Sequence, residues 1–109
     1  MSNTLNDIAD AAHENACAKG FYDTPPNIPE RLALIHSEVS EALEDYRDGK
    51  MSLVLTDSGK PIGFPSELAD ILIRVLDLAA HLGIDADHAV RVKMEYNSGR
   101  PHKHGRKVL

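Results

Sequence analysis

Apolar residues recur at helical spacing in four stretches of the chain, separated by glycine, proline and small polar residues. Over residues 4–19, Leu5, Ile8, Ala9, Ala12 and Ala16 share one face, and Gly20 supplies a C-terminal stop. The connection over 21–29 contains Pro25-Pro26, which forbids continuous helix, and Pro29 is placed to open a second helix at its first turn. That helix is expected over 29–48, with Leu32, Ile35, Val39, Leu43 and Tyr46 as its apolar stripe and Gly49 at its end. Residues 50–63 lose the helical period. Ser52-Leu-Val-Leu-Thr56 followed by Asp57-Ser-Gly-Lys-Pro61 predicts a long connection with a short extended run and a turn, or a small hairpin. Pro65-Ser66-Glu67 opens a third helix, with Ser66 or Phe64 near its cap, running to Leu82 before Gly83. Asp85 caps a fourth to about Ser98, with Ala89, Val92 and Tyr96 turned inward and Gly99 and Pro101 ending it. The fold class is therefore all-α, a four-helix bundle.

Between Leu68 and Leu82 apolar residues cover almost the whole circumference of the third helix. A helix that is apolar all round must be buried all round, and three other short helices do not achieve this within one chain. The expectation is an oligomer, most simply a two-fold dimer, whose shared core includes this helix.

Two acidic pairs interrupt the apolar pattern: Glu38-x-x-Glu41 in the second helix and Glu67-x-x-Asp70 at the start of the third. At three residues apart each pair projects within roughly 60° of one direction, so both carboxylates lie on one helical face. Acids at this spacing are common on solvated faces, and Glu near a helix start is favoured by the macrodipole. Here, however, Glu38 and Glu41 are interleaved with Ile35, Val39, Leu43 and Tyr46, and Glu67 and Asp70 lie in an otherwise nearly apolar segment. If the two helices face one another, four carboxylates converge, an arrangement that is costly without a cation or protons to neutralise it. Carboxylate-only ligation favours a hard divalent ion, Mg²⁺ or Mn²⁺. Because Mg²⁺ commonly keeps coordination positions for phosphate oxygens, the pattern points to phosphate chemistry.

Composition narrows the classes. The 109 residues allow a single domain over 1–109, with 98–109 read as an irregular basic tail. The one cysteine, Cys17, has no internal disulfide partner, and no signal peptide or membrane-length apolar run is apparent, so a cytoplasmic setting without membrane association is expected. A net charge of −5 argues against a general nucleic-acid binder. The charge is uneven: residues 100–107, Arg-Pro-His-Lys-His-Gly-Arg-Lys, follow an acidic body.

In order along the chain, Glu38-x-x-Glu41, Glu67-x-x-Asp70 with the run Ile-Leu-Ile-Arg-Val-Leu-Asp-Leu, and Lys93-x-x-x-Asn97-x-x-Arg100-Pro resemble the MazG-like all-α nucleotide pyrophosphohydrolases over about residues 28–107. The resemblance implies a bundle assembled into dimers or dimers of dimers. It also implies Mg²⁺-dependent hydrolysis of a (deoxy)nucleoside triphosphate to the monophosphate and pyrophosphate, as in nucleotide-pool sanitation. Carried over by position, Glu38, Glu41, Glu67 and Asp70 are the metal ligands, and Glu38 or Glu41 also activates the attacking water. Lys93 and Asn97, an i, i+4 pair, and Arg100 one turn further present an ammonium, an amide and a guanidinium to substrate. Lys103, Arg106 and Lys107 extend that positive field or form a frayed end. His13, with Asn15 and Lys19, occupies the stretch where the family builds its base and sugar pocket, and Phe21 or Tyr22 is available to stack on a base.

Other acids and histidines have less to recommend them as ligands. Glu44 continues the Glu38–Glu41 row, Asp45 lies four residues beyond Glu41, Asp77 and His81 suit a cap or a hydrogen bond better than a metal, and His36 points away from the acidic row. The competing class is a non-catalytic helical interaction module with a solvated acidic face. A di-iron carboxylate bundle is disfavoured because neither acidic motif contains Glu-x-x-His.

Overall fold

The computed structural model describes residues 4–102, so Lys103, His104, Arg106 and Lys107 of the basic tail lie outside the described residues. Helix α1 spans Leu5–Ala18, and the Thr4 hydroxyl caps it by accepting from the Asp7 amide at 3.2 Å. Helix α2 spans Ile28–Arg47; Asn27 accepts from the Glu30 amide at 3.0 Å, and Pro29 sits in the first turn, where its missing N–H costs nothing. A hairpin of two-residue strands follows, β1 (Val54–Leu55) antiparallel to β2 (Pro61–Ile62), with Val54 opposite Ile62. Helix α3 spans Phe64–His81 and α4 spans Ala86–Ser98, the latter capped by Asp85 through the His88 amide at 3.0 Å. The all-α expectation holds, and the short extended run does close as a hairpin.

The start of α3 differs from expectation. Its N-cap is neither Ser66 nor Phe64 but Gly63, at φ 104, with no side-chain cap bond. A β-carbon on Gly63 would stand 2.1 Å from the Ser52 carbonyl oxygen, so close backbone approach dictates glycine there. The Phe64 amide donates to the Lys50 carbonyl at 2.8 Å, which ties the hairpin's base to the helix. Ser66 donates its hydroxyl to the Pro61 carbonyl instead.

Helix α3 is the central element, packed against α1 on one side and α2 on the other, while α4 packs against α1 and α3. A small core forms from Ala9, Leu76 and Ala86, with Leu5 and Ala80 against it. The expected inward face of α4 is corrected, and the apolar stripe of α2 lies open. On α2 the buried residues are Glu38 and Ala42, whereas Leu32, Val39, Leu43 and Tyr46 of the apolar stripe are exposed within the single chain. On α4 only Ala86 is buried, and Ala89, Val92 and Tyr96 are exposed. Helix α3 likewise leaves Leu68, Leu72, Ile73 and Val75 open. No helix among the described residues is long and apolar enough to cross a membrane.

Candidate active site

Because α2 turns Glu38 and Ala42 towards α3, the first acidic pair meets the second. Glu38, Glu67 and Asp70 each bring one carboxylate oxygen to within 4.8 Å of the others. Glu41, one turn beyond Glu38, stands beside that set rather than within it. Its carboxyl is nevertheless pushed above the usual range, first by a hydrogen bond to Glu38 and then by the charge of Glu38. The four acids line one open cleft of about 410 Å³ together with Glu44, Asp45, Ser66 and the hairpin residues Lys60, Pro61 and Ile62.

The cleft is electrostatically overloaded. Burial, followed by the charges of Glu41, Asp45, Asp70 and Glu38, raises the Glu67 carboxyl above the carboxylate range. Asp70 is raised by burial and by Glu38, against opposing contributions from Arg74 and Lys60. Glu38 itself is only 9% exposed and accepts a hydrogen bond from Arg74 Nε at 2.8 Å. Glu67 Oε2 is buried and has no hydrogen-bond partner among the described residues. A buried carboxylate oxygen without a donor, beside two further carboxylates, is a vacancy in the bonding of the cleft that a hard cation fits.

A second cavity, of about 210 Å³, adjoins the first and shares Glu38 and Asp70 with it; Ala12, Asn15, Phe21, Arg31, Ile73, Arg74 and Asp77 complete its wall. Its far side is braced by a polar knot. His13 Nδ1 lies 2.9 Å from Asp77 Oδ1, and the Tyr22 hydroxyl donates to Asp77 Oδ2 at 3.0 Å. The Tyr22 ring stacks on His81 at 4.6 Å and carries the Arg31 guanidinium 4.5 Å from its centroid. Burial and the hydrogen bond to Asp77 push the Tyr22 hydroxyl up to about 12. Of the two aromatic residues proposed from sequence to stack on a base, Tyr22 is thus engaged in the knot, and Phe21 lines the cavity with its ring exposed.

The remaining expected substrate residues are dispersed. Lys19 is the exposed C-cap of α1. Lys93 lies 5.4 Å from the Tyr96 ring centroid, over an open hollow formed by α4 alone, and Arg100 lies 5.5 Å from the same ring. Asn97 is half-buried on the same helix. None of these lines the acid cleft.

Sequence reasoning missed Arg74, Asp77 as the partner of His13, and Lys60. A signal was present for the first two. Glu67, Asp70, Arg74, Asp77 and His81 follow one another at intervals of three or four, a polar stripe hidden inside an apolar helix. Lys60 carried none, because only the hairpin's return brings it over the acids.

Among known proteins, the chain is similar to the dATP/dGTP diphosphohydrolase of Cyanophage S-2L, with 34% identity over 82 residues that cover 70% of this chain and 78% of the relative. No family model matches the chain, and no solved structure matches it.

Proposed function

The chain belongs to the MazG-type nucleoside triphosphate pyrophosphohydrolases, and we propose that its acid cleft hydrolyses a (deoxy)nucleoside triphosphate to the monophosphate and pyrophosphate with Mg²⁺ as cofactor. The observation that carries this reading is the convergence of Glu38, Glu67 and Asp70 around the unpartnered, buried Glu67 Oε2. The relative's named action on dATP and dGTP supports a purine deoxynucleotide as substrate.

In this proposal Glu38, Glu67 and Asp70 hold the cofactor, with Glu41 as a fourth acid beside them. Bound there, Mg²⁺ supplies charge neutralisation to a polyphosphate and Lewis acidity at its oxygens. Glu41 stands beside the three-oxygen set and open to the cleft, so it is the carboxylate assigned to the attacking water. It takes a proton as the water oxygen bonds to the α-phosphorus and the α–β anhydride bond breaks, releasing pyrophosphate. Lys60 faces the same cleft from the hairpin and meets the departing phosphates with positive charge. The adjoining cavity between Asn15, Phe21 and Arg31 accommodates the nucleoside end.

Two copies of the chain form the working unit in this reading. The exposed apolar stripe of α2 and the exposed apolar residues of α3 support this, because monomers seldom leave large apolar surface uncovered. Lys93, Asn97 and Arg100 join the substrate site only if a second copy brings its α4 across the cleft. In this reading the enzyme works in the cytoplasm, clearing unwanted nucleotides.

A pyrophosphate-release screen over canonical and modified ribo- and deoxynucleotides, with Mg²⁺ and with EDTA, tests the proposal. Metal-dependent release from at least one purine deoxynucleoside triphosphate is expected. Absence of release from every triphosphate, together with no thermal response to Mg²⁺ or Mn²⁺, returns the chain to the class of silent helical modules.

A further inference from the structure

We infer that Arg74 is a positioning residue of the acid centre: by holding Glu38 through Oε1 it fixes the direction of that carboxylate, and so sets the centre's affinity for a divalent metal. The inference rests on the reading of the cleft given above.

The geometry is specific. Arg74 Nε donates to Glu38 Oε1 at 2.8 Å, a charge-assisted bond between α3 and α2 across 36 residues of sequence. The Glu38 side chain is 12% exposed and that of Arg74 40%, so the anion is the buried member and the one whose orientation matters. Arg74 follows Asp70 by four residues and therefore stands one turn along the same face of α3, on a rigid element rather than a loop. It also walls the neighbouring cavity with Asn15, Arg31 and Asp77.

Buried Glu38 and half-buried Glu67 are treated differently by the fold. Glu38 receives an internal cation, whereas Glu67 Oε2 receives no donor among the described residues. Were the cleft only a charged surface, both would be expected to carry internal partners or to face water. One acid fixed from within and another left with an unfilled bond is the arrangement of a site with one resident and one visiting cation. Carboxylates that ligate metals are commonly held by such outer partners, and losing the partner typically weakens metal affinity or activity by about 10–100-fold. A guanidinium suits the task because its donors are planar and fixed in direction, and it does not deprotonate, whereas an ammonium is a rotating point charge.

Calorimetric titration with Mn²⁺ alone, without nucleotide, on the wild-type chain, R74A and R74K tests the assignment. R74A is expected to bind Mn²⁺ about 10–100-fold more weakly, with R74K intermediate because it restores charge but not the directed Nε donor. In turnover, R74A should need more metal for half-maximal rate than the wild-type chain. Wild-type or tighter Mn²⁺ affinity in R74A overturns the inference. If R74A loses its helical circular dichroism, R74K carries the test alone: weakened binding supports the inference and wild-type binding removes it. A wild-type chain that binds no Mn²⁺ removes both this inference and the function beneath it, whereas wild-type binding with unaltered R74A and R74K removes the inference only.

Discussion

Asn6 and Asp87 cap each other's helices. The Asn6 carbonyl oxygen accepts from the Ala86 amide at 2.8 Å and the Asp87 amide at 3.3 Å, at the start of α4. In return the Asp87 carboxylate accepts from the Leu5 amide at 2.9 Å and the Asn6 amide at 3.2 Å, at the start of α1. Two helix N-termini that lack intrahelical partners thus satisfy one another across some eighty residues.

This exchange joins α4 to the bundle, because little of α4 beyond Ala86 is buried. Asn6→Ala and Asp87→Ala are each expected to cost about 1–2 kcal/mol, with the double variant costing less than the sum because losing either cap already loosens the α1–α4 corner that the other cap holds. Urea denaturation followed by circular dichroism measures this; additive or negligible losses remove the reciprocal cap. Asp85 belongs to the same corner, and its carboxyl is held below the usual range by the Asn6 amide and then the His88 N–H. For an acid so lowered, the stabilisation is present above the ordinary carboxylate range and lost as pH falls through the lowered value.

The acid cleft has the opposite pH dependence. Glu67, Asp70 and Glu41 are all raised, so the folded chain holds protons that the unfolded chain has already released. Stability of the metal-free protein should therefore fall as pH climbs through and just above the ordinary carboxylate range, then level off once the folded groups are also ionised. Saturating Mg²⁺ should remove most of that fall. Glu67→Gln should raise the melting temperature in EDTA and abolish the response to Mg²⁺. Melting curves over a pH series with EDTA or Mg²⁺ check all three, and a metal-free stability that rises across this range contradicts the assignment.

Alanine at Glu38, Glu41, Glu67 or Asp70 should each reduce Mg²⁺-dependent pyrophosphate release by at least about 100-fold, the scale lost when charge stabilisation or proton transfer is removed from a site. The helical circular dichroism should remain largely intact. Retained turnover in all four variants takes the chemistry away from this cleft.

Surface exposure on α2 and α3 makes a separate prediction about assembly. Val39 and Leu72 are 49% and 59% exposed in the single chain. Sedimentation of the wild-type protein should give a dimer or larger species, and Val39→Arg or Leu72→Asp should shift it towards the monomer. A stable wild-type monomer of 11.9 kDa ends the expectation of a shared core.

The four helices were legible because their signals are local. Thr4, Asn27 and Asp85 occupy capping positions, and Gly20, Gly49 and Gly83 take the left-handed conformation that stops a helix. The pairing of Glu38 with Glu41 and of Glu67 with Asp70 was equally legible, since an i, i+3 interval places two side chains on one face whatever surrounds the helix. The cap of α3 was misread because the requirement for Gly63 comes from Ser52, a neighbour through the hairpin rather than along the helix.

By itself, then, the amino-acid order determined which segments are helical and which acids travel together. The tertiary structure alone decided that α2 turns Glu38 rather than Leu32 and Val39 towards α3, that Arg74 reaches Glu38, and that Lys60 closes over the acids while Lys93 stays on α4. The reason is range. Helical periodicity and capping are settled by residues within a turn or two, but which face turns inward depends on how three helices share limited apolar area, and that balance is struck between residues far apart in the chain.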